Sequence, residues 1–210
     1  MTGAGTEGKR GAILNVEGDL VALGPLRREL LSLYQRWIND LKAIRMLGAF
    51  TPNTLEAETK WYDEWATSET VVPFTIYSLP EMLPIGTASL FSIDQRNRNA
   101  TFGIFVGDRN YRGKGCGTET TQLMLDYAFT VVGLHNIMLT VLEFNYAGIK
   151  AYERAGFKEF GRRRQSHLMG GKLWDEIYMD CLSTEFQRPV TPGKVWGFSD
   201  WLPPGSGTAR

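Results

Sequence analysis

The stretch from Ala100 to Val132 limits the fold more than any other part of the chain. A strand rich in β-branched and aromatic residues, Ala100 to Val106, leads into Arg112-Gly113-Lys114-Gly115-Cys116-Gly117-Thr118. From about Gly117 to Val132 the pattern is that of an amphipathic helix, with Leu123, Met124, Tyr127, Ala128 and Val131 on one face. Strand, glycine-rich turn and helix in direct succession make the chain α/β at this point. The glycines let the backbone turn tightly and approach a ligand. The helix start offers unpaired N–H groups and the positive end of its dipole, so an anion is the natural occupant. The loop lacks the Gly-Lys-Ser/Thr ending of an ATP-type phosphate loop, and Gly113-x-Gly115-x-x-Thr118 lacks the third glycine of a dinucleotide fingerprint. Taken alone, it also fits a surface turn whose glycines only shape the entry to a helix.

The flanking pattern extends this unit. Asp19 to Leu23 reads as a short strand, after which Leu26, Leu30, Leu33, Tyr34, Trp37 and Leu41 recur at helical spacing. Thr54, after Pro52 and Asn53, can cap a second helix through Trp61 and Trp65. Val72 to Tyr77, Ile85 to Ile93 and Ala100 to Val106 form a three-strand meander punctuated by Pro80, Pro84 and the polar turn Asp94 to Asn99. After the long helix come a strand, Ile137 to Val141, and a short helix, Ala147 to Ala155, closed by Gly156. Phe157 to Arg164 and Leu173 to Cys181 make a final strand pair that turns at Gly170 and Gly171. The expected organisation is a flexible extension over 1–15, one domain over 16–188, and a Pro/Gly tail over 189–210. That tail holds Trp196, Phe198 and Trp201, which can dock on the body or on a second subunit.

Composition excludes several classes. With 23 basic and 23 acidic residues, the chain lacks the overall basic excess that advertises nucleic acid or an anionic membrane. No apolar run approaches the roughly 20 residues of a membrane-spanning helix, and no membrane partner is expected. Cys116 and Cys181 are the only cysteines, and no leader-like pattern precedes the first strand, so cytoplasmic residence is expected. His135 and His167 lie apart, with no Cys or acid at ligand spacing, which argues against a metal. Cys116 could be a thiol activated by the helix start, but packing of a small residue explains it more simply. Arg162, Arg163 and Arg164 read as surface charge.

The whole pattern from Asp19 to Leu182 resembles the GNAT acetyltransferases, most closely their RimJ/RimL and spermidine acetyltransferase-like branch. Arg112, Gly115 and Gly117 match the Arg/Gln-x-x-Gly-x-Gly/Ala signature, and they follow the strand Gly103-Ile104-Phe105-Val106. Asn145 to Phe157 is similar to the second signature, while Trp37-Ile38-Asn39-Asp40 and Gly171-Lys172-Leu173-Trp174-Asp175 resemble branch-typical segments. The resemblance implies a mixed α/β (α+β) fold. Its central twisted sheet would be mostly antiparallel, with about seven strands in the order β-α-α-β-β-β-α-β-α-β-β. The strand ending at Val106 would splay from Ile137 to Val141.

The resemblance also implies an acetyl-CoA-dependent N-acetyltransferase, or one using another short acyl-CoA, with no metal. The acceptor would be a primary amine on a small molecule or a protein N-terminus. A non-catalytic acyl-CoA-binding sensor is the alternative. Ile104, Phe105 and Val106 would bond the pantetheine arm, a backbone N–H near Phe105 or Val106 would meet the thioester oxygen, and residues 112–118 would hold the pyrophosphate. Asn145 would bond the pantetheine, cap the short helix, or do both, and Tyr152 would protonate the departing thiolate. Asp40, Glu81 and Glu143 are the candidates for the base, although such positions are commonly caps or solvated charges. Some relatives carry a Glu where this chain has Thr140. Leu47 to Thr51 also lacks the acids that spermidine enzymes use there, so polyamine specificity is not evident. Trp61, Tyr62 and Trp65 can line an acceptor site or pack the helix pair against the sheet. A homodimer is possible through the tail or the final strands.

Overall fold

The computed structural model describes residues 12–48 and 51–187. Eight strands form one sheet: β1 (Val16–Glu17), β2 (Val21–Pro25), β3 (Val72–Ser78), β4 (Pro84–Asp94), β5 (Asn99–Val106), β6 (Asn136–Leu142), β7 (Lys158–Met169) and β8 (Lys172–Leu182). Their spatial order is β1-β2-β3-β4-β5-β6-β8-β7. Every neighbouring pair is antiparallel except β5 with β6. The α-helices are α1 (Leu31–Ile38), α2 (Leu41–Ile44), α3 (Leu55–Ala66), α4 (Cys116–Thr130) and α5 (Tyr146–Ala155). No described helix is long and apolar enough to cross a membrane.

Alternation along β5 assigns the two faces of the sheet. Phe102 and Ile104 join the main core, where Leu123, Met124, Leu125 and Ala128 of α4 meet Leu90 of β4 and Leu139 of β6. Phe105, an odd number of residues from Phe102, turns to the other face and packs with a smaller cluster made by Leu31, Tyr34 and Trp37 of α1 and Trp61 and Trp65 of α3. Each fully buried aliphatic side chain contributes roughly 1.5–3 kcal/mol relative to exposure, so the larger cluster sets the position of α4 firmly. The helices start where their caps permit. Thr54 Oγ1 accepts from Ala57 N at 3.2 Å, and Gly156, with φ of +112°, ends α5.

Three features depart from the pattern seen in the sequence. The two-residue β1, held to β2 with Asn15 N donating to Leu23 O at 2.8 Å, is too short to produce periodicity. The apolar run of the first helix divides. Leu30 ends a 3-10 turn, α1 stops at Ile38, and Leu41 begins the single-turn α2 because Asp40 caps a new start there. β7 continues past Arg164 to Met169 through a bulge around Gln165, whose φ is +52°. An edge strand paired through its backbone to β8 can be polar along its length, so the alternation that would have revealed this extension is missing. The 189–210 tail, with Trp196, Phe198 and Trp201, lies outside the described residues, as do residues 1–11 of the N-terminal extension.

Candidate active site

β5 and β6 pair only where Asn99, Ala100 and Thr101 meet Asn136, Ile137 and Met138. Beyond that point β5 stays with β4 as far as Val106, and β6 stays with β8 as far as Leu142. The facing edges therefore separate. Main-chain groups from Phe102 to Val106 border a wedge that is open to a third extended chain. The splay expected from the resemblance is present.

The glycine loop lies beyond the end of β5. Arg112, grouped with the loop by its sequence, turns its guanidinium back onto the strand. Nε donates to Val106 O at 2.8 Å and Nη2 to Gly107 O at 2.9 Å. Its side chain thus braces the strand end. Partial burial lowers its pKa from the usual arginine value. Gly107 is needed beneath Trp37, since a Cβ there would lie 2.2 Å from the indole Cδ2.

Gly113 and Gly115 have φ of +71° and +91°, a region that β-carbons disfavour. Gly115 caps α4 without any side-chain bond, so the first-turn N–H groups are left for an external acceptor. The acid of that turn, Glu119, is diverted elsewhere. Its Oε1 accepts from Asp19 N at 2.8 Å, and its Oε2 accepts from Leu20 N and Val21 N at 2.7 and 2.8 Å. The β1–β2 turn thereby holds the carboxylate away from the helix axis and fixes the loop to β2. Lys114 is exposed and has no ion pair among the described residues. Cys116 is buried, and burial raises its thiol pKa, which fits the packing role. Thr118 lies in the same first turn, and Gly117 faces Val106.

α5 carries the remaining signature residues. Asn145 Oδ1 accepts from Gly148 N at 3.0 Å, so it serves as the helix cap. Tyr152 packs edge-on to Phe102 and Phe157, with ring centroids 6.5 and 6.1 Å away, and burial pushes its phenol up to about 12. It remains protonated at neutral pH.

The three acids named from sequence are dispersed. Asp40 accepts from Lys42 N at 3.1 Å and pairs with Arg109 through both oxygens, which lowers its pKa. Cap and ion pair describe it better than base. Glu143 Oε1 accepts from Asp175 N at 3.0 Å and fastens the start of β8 to the end of β6. Glu81 is exposed between β3 and β4, near enough to the glycine loop for its charge to raise the Cys116 pKa. Thr140 is exposed on β6. His135 Nδ1 lies 2.8 Å from Ser183 Oγ, far along the chain from His167, which sits against Gly48.

A cavity of about 390 Å³ lies between α1, α3 and the β4–β5 surface. Tyr34, Trp37, Trp61, Trp65 and Phe91 line it, and Gly103, Ile104 and Phe105 bring the splayed strand to its floor. Trp61 and Trp65 thus both pack the helix pair and border a cavity. Glu58 also lines it, at 5% exposure, with Oε2 accepting from Asn53 Nδ2. Sequence reasoning missed this acid. The signal was present, because Glu58, Trp61, Tyr62 and Trp65 fall at i, i+3, i+4 and i+7, which puts a carboxylate in the apolar stripe of α3. Burial raises its pKa above the ordinary glutamate value.

Residues 21–158 match the GNAT acetyltransferase domain family, and the chain belongs to it. It is accordingly an N-acetyltransferase whose acetyl donor is acetyl-CoA. A probable N-acetyltransferase of Bacillus subtilis, YjcK, is 28% identical over 77% of this chain and 92% of its own. The spermidine N(1)-acetyltransferase of Escherichia coli K12 is 26% identical over 83% of this chain and 93% of its own. The structure of spermidine N-acetyltransferase from Vibrio cholerae, in complex with CoA and spermine, superposes with a TM-score of 0.74. It is 23% identical and covers 80% of this chain and 98% of its own.

Proposed function

We propose that this enzyme acetylates the primary amine of a small molecule that reaches β5 from the α1–α3 face, while the donor lies in the wedge between β5 and β6. The carrying observation is that one short segment, Gly103 to Phe105, both lacks a β6 partner and forms the floor of the aromatic cavity. Donor and acceptor would meet there. The relatives that act on spermidine support a small amine over a protein N-terminus.

Acetyl-CoA supplies an activated thioester. The free first-turn N–H groups of α4, together with Lys114, suit its pyrophosphate, and the unpaired edge of β5 suits the amides of its pantetheine arm. Arg112 keeps Val106 and Gly107 rigid, so that a backbone N–H at Phe105 or Val106 can stabilise negative charge on the thioester oxygen as the amine adds. As the C–N bond forms and the C–S bond breaks, Tyr152 donates a hydrogen bond to the departing thiolate, and the proton lost from the new amide nitrogen passes through solvent to that thiolate, giving the amide and free CoA. The acceptor must arrive as a free amine, and none of Asp40, Glu81 and Glu143 is placed to accept its proton as clearly as Glu58 is placed to hold a cation. The reading also keeps the enzyme in the cytoplasm, and the exposed Phe160, Leu168 and Leu173 of the final hairpin suit a homodimer that sedimentation would reveal.

Release of free CoA, followed across polyamines, aminoglycosides, aryl alkylamines and short peptides, tests the proposal. Turnover confined to small amines is expected. Turnover confined to peptides would overturn it.

A further inference from the structure

Glu58 is the only charged residue among the described residues that line the α1–α3 cavity. A carboxylate taken out of water must be compensated, and a purely packing position in this stripe would carry an apolar residue as its neighbours do. The protein provides a single hydrogen bond, from Asn53, and no basic side chain pairs with Glu58 among the described residues. Asn53 is itself fixed. Its N–H donates to Asn39 Oδ1 at 2.9 Å, and its carbonyl accepts from Asn39 Nδ2 at 2.8 Å and Gln35 Nε2 at 3.2 Å. The carboxylate is therefore oriented by a clamp between α1 and α3. Around it stands a chain of rings: Trp37 to Tyr34 at 6.0 Å, Tyr34 to Trp61 at 6.3 Å, Trp61 to Trp65 at 5.2 Å and Trp65 to Phe91 at 6.0 Å. Ring faces attract cations, and this attraction grows where water is excluded.

Building on the acceptor position proposed above, we infer that this cavity is a cation subsite of the acceptor pocket. Glu58 would receive a positive group that is separate from the reacting amine. Glu58 stands on the helical wall and Gly103 to Phe105 on the sheet wall, so an acceptor spanning the cavity presents one end to each. The substrate class is a compact amine with an apolar or aromatic body and one further cation. An anionic body would be repelled by Glu58. A long polyamine would bring more charges than the single carboxylate can neutralise.

The test uses two probes of nearly equal shape, p-xylylenediamine and 4-methylbenzylamine, which differ by the distal ammonium. Binding to the full chain saturated with CoA is read from tryptophan fluorescence, since Trp37, Trp61 and Trp65 border the cavity. The diamine should bind roughly 10- to 100-fold more tightly, as expected for a charge-assisted contact in a desolvated site. In Glu58→Gln, which retains the oxygen that accepts from Asn53, the preference should collapse to about twofold, the size of a screened surface effect. The KM for acetyl-CoA should not move. Equal affinities in the wild type, or a preference kept in E58Q, would overturn the inference. Release of CoA, measured in parallel, separates the two proposals. Selective diamine binding without turnover leaves the cation subsite standing and counts against amine acetylation at this face.

Discussion

Tyr152→Phe removes one oxygen and leaves the ring where it is. The ring's packing against Phe102 and Phe157 is unchanged by the substitution, and the hydroxyl makes no hydrogen bond to the protein among the described residues, so the melting temperature should hold. What is lost is the donor. Burial pushes this phenol up to about 12, while an ordinary thiol has a pKa of about 8.5. Complete proton transfer to the thiolate would be uphill by roughly 3.5 in pKa, about 5 kcal/mol, so the useful contribution is a hydrogen bond to growing negative charge. Such a bond is worth roughly 1.5–3 kcal/mol. Turnover should fall by roughly 10- to 150-fold, toward the low end for a general-acid residue. The assay is release of free CoA at saturating acetyl-CoA with one fixed amine, alongside calorimetric affinity for CoA, which should stay within about twofold because the loop and strand that would hold it are untouched. The sign of the pH effect also follows. A donor with a raised pKa stays protonated, so no Tyr152-dependent alkaline limb should appear below about pH 11. Undiminished turnover in Y152F, or a limb near pH 9 that the substitution abolishes, would refute the reasoning.

The latch between Glu119 and the β1–β2 turn can be tested through stability. In Glu119→Ala the N–H groups of Asp19 and Leu20 can turn to water, but that of Val21 is sheltered, so a loss of about 1–2 kcal/mol and a melting decrease of roughly 2–8 °C are expected by calorimetry; an unchanged melting temperature would dismiss the latch. Gly115→Val places a branched side chain at φ of +91°, with its Cβ 3.1 Å from Leu20 Cδ1, and should raise the KM for acetyl-CoA roughly tenfold at constant helical content by circular dichroism. Wild-type KM in that variant would remove the loop from the donor site. Asp40→Asn should keep its turnover, because the carboxylate is engaged with Arg109 and Lys42 N; a collapse of kcat would restore it as the base. With its folded pKa lowered, the contribution of Asp40 to stability is present above the ordinary aspartate pKa and is lost as pH falls below it, so the variant and wild type should converge in acid denaturation.

The parts of the site that were legible from sequence are those dictated by backbone geometry. Gly113 and Gly115 between a strand and a helix announce a turn with positive φ and Gly156 announces a helix end, because few residues tolerate those conformations, while Thr54 announces a helix start because its hydroxyl can accept an unpaired first-turn N–H. The two sides of the sheet could be read from Phe102 and Phe105 in the same way. The direction of Arg112 could not. Its letter fits a loop that binds an anion, yet only the folded position of Val106 and Gly107 shows that the guanidinium is used to hold β5. Nor could sequence tell which acids would be engaged by backbone N–H groups. Glu119, Glu143 and Asp40 are held by amides of residues distant in the chain or fixed by a cap, and pairings of that kind depend on tertiary placement.

Glu58 extends this point to function. An acid in a solvated loop needs no explanation, whereas an acid in an apolar helical stripe does. An apolar residue at this stripe position would have given α3 a tighter union with the sheet, at no desolvation cost. The chain instead retains a carboxyl group where burial opposes its ionisation, orients it through Asn53, and leaves rings and a void around it. A site of this kind is stabilised when a cation enters, so the acceptor would contribute to holding α3 against α1 as it binds. In the same proposal donor recognition would rely on main-chain groups, which any sequence of the right shape can supply, and a wedge of this kind can be shared widely within the family. In the proposed site, acceptor recognition would rest on side chains of α1 and α3, where Glu58 stands. The two halves of such a site could therefore vary independently, with Gly103 to Phe105 as the common boundary between the wedge set by sheet topology and the cavity set by the stripe of one helix.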